Sequence, residues 1–166
     1  MSSMFIDIVK DVAKATLVKV LAVVPSADLT GRKGGYACVK RLGDDGLLAK
    51  PILVGEVTNG KDDKYIDFCQ EKANRLLVEH VANGHFSSFQ SQDPDHQKWP
   101  GAILGHDNEG GKYAFSFSGL PWMCDEAIML MTAIEVGYLK QDEAIAIAAI
   151  SDNKVFFDAT GYDSHS

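Results

Sequence analysis

The chain has 166 residues, of which 46% are hydrophobic and 23% are charged. Such a composition is typical of a globular domain and excludes a disordered chain or a collagen-like repeat. Sixteen basic residues against 23 acidic ones give a net charge of -7. We therefore expect no nucleic-acid partner, because phosphate binding needs a clustered cationic surface. The length predicts a single domain over residues 1–166.

The cysteines and the N-terminal segment bear on the cellular compartment. The chain has three cysteines, Cys38, Cys69 and Cys124, and no C-x-x-C pair. An odd number without such a pair favours free thiols in a reducing cytosol over a disulfide framework or a zinc site. The apolar stretch 5–24 is interrupted by charged residues. It therefore fits neither an export signal nor a membrane-spanning helix. We expect a soluble, cytoplasmic protein without a membrane partner.

The first half of the chain contains a helical stripe and a hairpin signal. Apolar residues in 5–24 recur at three- and four-residue steps, which predicts a helix, while the β-branched residues from Thr16 onward would allow a strand to begin there. Two strand-like runs, 36–42 and 47–57, flank the Gly/Asp turn 43–46. This pattern predicts a β-hairpin.

The middle of the chain holds the longest predicted helix and an irregular segment. The helix begins near Asp62 or Asp63 and ends at Asn83-Gly84, a pair suited to a left-handed stop. Residues 85–101 have no period, and a connection of this length is often functional. A second hairpin is predicted from 102–106 and 113–120, with large aromatic residues on one face of its second strand and small residues on the other.

In the C-terminal part, the pattern predicts helices over 122–139 and 142–150, although residues 144–150 also alternate as in a strand. A short strand from residue 154 and a flexible tail from about residue 158 are expected to follow. The order of helix, strands, helix, long loop, hairpin and helix predicts an α+β domain built around an antiparallel sheet.

Two groups of short motifs resemble a known family. The first group combines a hairpin with an Ala- and Lys-containing helix: Asp45-Gly46-Leu47-Leu48-Ala49, Tyr65-Ile66-Asp67 and Glu71-Lys72-Ala73. The second combines a glycine-rich strand, a Ser-Gly turn and an Asp-Glu-Ala helix start: Gly101-Ala102-Ile103, Phe117-Ser118-Gly119 and Asp125-Glu126-Ala127. Over about residues 1–140 the chain resembles the GlcG-like and HbpS-like small haem-binding, haem-degrading proteins. The resemblance implies a profilin-like antiparallel sheet of about five strands packed with helices, and haem or a related tetrapyrrole as ligand. Residues 85–101 depart from that family's pattern.

Candidate site residues gather around loop 85–101 and the second hairpin. Four of the five histidines lie between residues 80 and 106, and imidazole is a ligand of haem iron and of transition metals. The predicted ligand-binding residues are His96, His106, Trp99, Phe89, Tyr113 and Ser118. Oxygen ligands from the neighbouring acidic turns make His96, His106 and Asp107 the candidate metal ligands, although their spacing matches no defined metal motif.

Three functional hypotheses remain open. The first is a small ligand-binding or sensory domain in which loop 85–101 covers a pocket over the sheet. The second is a structural or partner-binding protein that forms a homo-oligomer and whose exposed aromatic residues form an interface. The third is a metal-assisted enzyme that uses His96, His106, Asp107 and Glu109.

Overall fold

The structure, a computed structural model, describes residues 3–43 and 50–164. The predicted turn 43–46 lies mostly outside these residues, as do positions 47–49 of the strand after it and the motif 45–49. Four antiparallel strands form one sheet in the order β2-β1-β4-β3. The strands are β1 (Lys33–Arg41), β2 (Ile52–Glu56), β3 (Ala102–His106) and β4 (Lys112–Ser118). The α+β architecture is confirmed, whereas a fifth strand is not among the described residues.

Six α-helices accompany the sheet within the described part of the chain. They are α1 (Ser3–Leu21), the short α2 (Ser26–Leu29), α3 (Asp62–Asn83), α4 (Trp122–Glu135), α5 (Gln141–Ile150) and α6 (Lys154–Thr160). Helix α3 covers one face of the sheet, and α1 and α4 cover the other. None of the helices in segments 3–43 and 50–164 is long and apolar enough to cross a membrane.

Strand β4 shows why the two faces differ. Phe115 and Phe117 join the larger core with α1 and α4, whereas Ala114 packs in the smaller core beneath α3. The Ser116 hydroxyl donates a hydrogen bond to the carbonyl oxygen of Cys69 on α3 at 2.8 Å. Small side chains on this face allow α3 to lie close to the sheet, so the predicted alternation of large and small residues is confirmed.

The helix predicted over 5–24 is confirmed as α1, whereas the strand that its β-branched residues would have allowed and the strand predicted from residue 154 do not form. Helix α1 continues through Thr16 to Leu21, because its buried residues keep a helical period and Thr16 Oγ1 donates to the Ala13 carbonyl at 3.1 Å. The segment from Lys154 forms α6 and not a strand. Asn153 caps this helix by accepting a hydrogen bond from the Phe156 N–H at 3.2 Å.

The three cysteines are free and buried, which agrees with the expectation of unpaired thiols. The thiol of Cys69 lies 3.3 Å from that of Cys38, between α3 and β1. Burial raises the pKa of the Cys124 thiol to about 12, and the neighbouring Asp125 acts in the same direction. Cys124 is therefore a protonated core thiol at neutral pH.

Loop 85–101 is folded onto the body of the domain. It contains two 3-10 helices, Ser88–Ser91 and Pro94–His96. Before the first of them, Ser87 pairs with Ile103, and the Leu104 N–H donates to the Phe86 carbonyl at 2.9 Å. The loop thus covers the outer edge of β3, which would otherwise expose unpaired backbone groups.

Candidate ligand-binding site

A cleft of about 600 Å³ opens at the end of the sheet where β4 finishes and β1 begins. We call it the main cleft. Its walls come from the N-terminal half of α3, the first turn of α4, the turn 118–121 between β4 and α4, and the 3-10 helix Pro94–His96 with the residues that follow it. Its volume lies within the range of small-molecule sites.

The main cleft is cationic although the chain is acidic. Four basic residues line it, Arg32, Lys61, Lys64 and Lys72, against two carboxylates, those of Asp95 and Asp125. A concave surface with an excess of one charge concentrates ligands of the opposite charge. The local charge therefore favours an anionic ligand.

Aromatic side chains supply the apolar walls of the main cleft. Tyr65, Phe68, Trp99 and Trp122 line it. The ring of Phe89 packs against Trp122 with centroids 5.4 Å apart, which supports that wall from behind. Flat aromatic surfaces beside cations suit a ligand that is itself planar and negatively charged.

The floor of the main cleft is a buried ion pair. Lys72 Nζ lies 3.2 Å from Asp125 Oδ2 and donates a hydrogen bond to the Phe117 carbonyl at 2.8 Å. Both side chains are almost fully buried, at 2% and 3% exposure. The Leu120 N–H donates to Asp125 Oδ1 at 3.0 Å. Burial raises the pKa of the Asp125 carboxyl to about 6, although the Lys72 ammonium beside it acts in the opposite direction.

Gly101 makes room for this pair. Its φ is +133°, and a Cβ atom there would lie 2.7 Å from Lys72 Nζ and 2.8 Å from the Phe117 carbonyl oxygen. Any side chain would therefore displace the ammonium from the floor. A glycine is needed here both for its backbone conformation and for the close approach.

Arg75 attaches loop 85–101 to α3 and so positions one wall of the main cleft. Its guanidinium donates to the carbonyl oxygens of Ser88 at 2.8 Å and Trp99 at 2.6 Å, and to Ser91 Oγ at 2.7 Å. Glu71, one turn earlier on α3, accepts from Arg75 Nε at 3.0 Å. Because an arginine fork holds several acceptors in fixed geometry, the loop is a fixed wall of the cleft.

The predicted ligand-binding residues divide between two places. Trp99 and Ser118 line the main cleft, and Phe89 supports it through Trp122. His96 ends the 3-10 helix at the rim, but its side chain is 74% exposed and pairs with Asp93 at 2.7 Å. It is not among the lining residues.

His106, Tyr113 and Asp107 lie at the opposite end of the second hairpin. His106 Nε2 lies 2.8 Å from Glu143 Oε2, and the Tyr113 hydroxyl donates to Asp107 Oδ2 at 2.9 Å. Backbone N–H groups of the turn, that of Gly111 first, hold the pKa of Asp107 below its usual value. Burial and this carboxylate raise the pKa of Tyr113 to about 12. These contacts stabilise the turn between β3 and β4.

The candidate metal ligands are not assembled into one group. Within segments 3–43 and 50–164, no three His, Cys, Asp or Glu side chains are arranged to hold a metal ion. His96 lies at the rim of the main cleft, whereas His106 and Asp107 lie at the far end of the hairpin. Haem fits the cleft only in part. The cations and aromatic walls suit its propionates and its ring, but no lining residue of the described chain is His, Cys or Met.

Sequence reasoning missed Lys72 and Asp125. A usable signal was present, because Lys72 follows Tyr65 and Cys69 and precedes Leu76 at the spacing of the buried face of α3. A lysine in that stripe must find a buried partner. The partner lies 53 positions away on α4, which the local pattern does not reveal.

No family model, no curated protein and no solved structure matches the chain. The site is therefore interpreted from its own geometry.

Proposed function

We propose that the chain is a small ligand-binding domain whose main cleft takes a planar anionic molecule, with a tetrapyrrole as the first class to test. The observation that carries this proposal is the meeting of four cations and four aromatic side chains in one cleft of an acidic chain. Lys61, Lys64 and Arg32 would contact carboxylate or phosphate groups, and the aromatic side chains would pack against the planar part.

The profilin-like fold and the kinship with small haem-binding proteins belong to the same proposal. Two observations support it. Helices cover both faces of an antiparallel sheet, as that fold requires. Gly101, Ser118-Gly119 and Asp125, which come from the second group of resembling motifs, also meet at the main cleft.

Haem would be held through its propionates and ring face by the residues named above, and bound haem would supply an iron centre. The imidazole of His96 stands at the rim and is paired with Asp93. Because the cleft offers cations and aromatic walls without a lining histidine, we expect metal-free protoporphyrin IX to bind about as tightly as haemin.

The test is a pair of titrations near neutral pH, protoporphyrin IX followed by fluorescence and haemin by absorbance. We expect saturation near one ligand per chain, and binding of both ligands about tenfold weaker in Lys64→Glu because an attractive charge becomes repulsive. Lys14→Glu makes the same charge change on the exposed face of α1. It should leave both titrations unchanged.

Non-saturable binding, or equal weakening in Lys64→Glu and Lys14→Glu, would contradict the proposal. A shifted and sharpened Soret band of bound haemin that returns towards the spectrum of free haemin in His96→Ala, while protoporphyrin binding persists, would identify haem as the specific ligand and His96 as its axial residue.

A second candidate function is partner binding by a homo-oligomer. It is favoured by large apolar side chains left exposed at the end of α3 and in the segment after it, Val78 at 65%, Val81 at 70% and Phe86 at 47%. Sedimentation over a range of protein concentrations tests it, because self-association through this patch should diminish in Val81→Lys. Within the described residues, no observation favours a metal-assisted enzyme over these two candidates.

A further inference from the structure

The ammonium group of Lys72 has more N–H donors than acceptors among the described residues. It carries three N–H donors. Within the described residues it has two acceptors, the Phe117 carbonyl oxygen and Asp125 Oδ2. Because Lys72 lines the main cleft, its third donor is available to a ligand that reaches the floor.

The charge state of Asp125 decides how strongly this donor attracts an anion. When Asp125 is ionised, the buried pair is neutral overall, and an approaching anion meets a carboxylate as well as an ammonium. When Asp125 is protonated, the Lys72 charge is uncompensated. The difference is large at such a site because charges interact more strongly away from water.

The groups that face Asp125 set where this change occurs. Lys72 faces it from α3, the Leu120 N–H from the turn before α4, and Arg32 from the segment before β1. Asp95 and the rim lysines Lys61 and Lys64 complete the charges of the cleft. Burial outweighs these cations, and the resulting pKa of about 6 brings the protonation change close to neutral pH.

We infer that Lys72 donates the buried hydrogen bond to the anionic group of the ligand and that Asp125 takes up a proton as this ligand binds. The affinity of the main cleft for anions then falls as the pH rises. This inference rests on the proposed function and adds proton-linked release of the ligand to it.

The probe for this inference is pyrene-1-sulfonate, a planar fluorescent anion whose charge does not change between about pH 5 and pH 9. We expect its Kd to rise by about tenfold from pH 6 to pH 8, the consequence of one linked proton. The neutral analogue 1-pyrenemethanol should show a flat profile. Histidines also change charge in this range, so all profiles are recorded in a His96→Gln background.

Asp125→Asn is the decisive variant. Asparagine keeps the shape of the side chain and removes the titrating charge. We expect a flat profile for pyrene-1-sulfonate and, near pH 8, tighter binding than in the parent, by about tenfold.

Lys72→Met alone would leave Asp125 buried without a partner, which risks unfolding. The double variant Lys72→Met/Asp125→Asn replaces the pair by neutral groups of similar size, so it should unfold cooperatively on heating like the parent. We expect it to bind the sulfonate about tenfold more weakly than Asp125→Asn, at every pH, because a buried charged hydrogen bond is lost.

The possible outcomes separate the two proposals. A flat profile in the parent, or a slope that persists in Asp125→Asn, overturns the proton linkage and leaves the ligand-binding function standing. Equal binding by the double variant and Asp125→Asn removes Lys72 from the site. Absence of saturable binding by the sulfonate and by protoporphyrin IX at every pH overturns both proposals.

Discussion

Arg75 Nη2 donates a hydrogen bond to the carbonyl oxygen of Trp99 at 2.6 Å. This contact joins α3 to the far end of loop 85–101, and it holds the Trp99 side chain at the wall of the main cleft. The wall of the site therefore depends on a residue outside the cleft.

Replacing Arg75 by lysine tests this dependence. A lysine ammonium cannot reach all four hydrogen-bond partners of the Arg75 guanidinium at once. We therefore expect the unfolding free energy to fall by about 1–3 kcal/mol. Amide hydrogen exchange in residues 86–99 should become faster. Arg41→Lys, at an exposed end of β1, is the matched control and should change stability by less than about 0.5 kcal/mol. Unchanged exchange in residues 86–99 would show that the loop is held by other contacts.

Because the carboxyl group of Glu126 is buried, we expect the unfolding free energy to depend on pH in an unusual way. Its side chain is fully buried, Oε2 accepts hydrogen bonds from Ser151 and Asn153, and Oε1 has no partner among the described residues. Burial raises the pKa of Glu126 to about 7, although the hydrogen bonds from Ser151 and Asn153 act in the opposite direction.

Between the usual pKa of a glutamate and this raised value, the folded state binds more protons than the unfolded state. The unfolding free energy therefore falls as the pH rises through this window, and the raised pKa of Asp125 adds the same sign below about pH 6. Glu126→Gln should flatten this slope and stabilise the chain near pH 8 by on the order of 2 kcal/mol. Near pH 4 it should have little effect.

Urea unfolding at both pH values measures the difference, and Glu135→Gln on an exposed position of the same helix is the control. A variant Glu126→Gln that is less stable than the parent near pH 8 would show that the ionised carboxylate is needed.

Gly101 and Gly110 form a matched pair of glycines. Both have a positive φ, +133° and +84°, but a Cβ atom on Gly110 would meet nothing within 4 Å. Gly110→Ala should therefore cost about 1 kcal/mol of unfolding free energy for its backbone conformation alone. Gly101→Ala should cost about 2–4 kcal/mol, because it also displaces Lys72 Nζ and crowds the Phe117 carbonyl. It should also weaken binding of protoporphyrin IX, which Gly110→Ala should not. Equal costs for the two variants would mean that the floor of the cleft adapts to the new methyl group.

A variant of His106 tests whether the predicted metal ligands at the far end of the second hairpin form a site of their own. Because His106 pairs with Glu143 away from the main cleft, His106→Ala should leave protoporphyrin binding within about twofold of the parent. It should lower the unfolding free energy by about 0.5–1 kcal/mol, the range of a partly exposed charged hydrogen bond. Stoichiometric metal in the purified protein that disappears in His106→Ala would instead support a metal-assisted enzyme.

Much of the local structure could be predicted because its cause is local. Asn83-Gly84 ends α3 where the motif predicts, with Gly84 at a φ of +69° and its N–H donating to the end of the helix. The alternation along 113–118 also predicts a strand with unlike faces, since the period of side chains in a strand is two. Both depend only on neighbouring residues.

The candidate site was predicted only in part, and the reason differs between residues. Trp99 and Ser118 were predicted because aromatic and small polar residues near a long loop are typical of pockets. His96 and His106 lie close together in sequence, yet the first stands at the rim and the second at the far end of β3. Strand β3 lies between them and runs from one end of the sheet to the other. The two histidines are therefore far apart in space although they are close in sequence.

The sequence by itself determined the α+β class, the second hairpin and the ends of α3, because each follows from residue period or from turn residues. Only the tertiary structure decided that α1 is unbroken, that the tail forms α6, and that Lys72 meets Asp125. In each of these cases burial against distant segments outweighs local preference. The ion pair of Lys72 and Asp125 is buried because the fold removes both charges from water. The two residues are 53 positions apart, so their side chains come into contact only when the helices pack on the sheet.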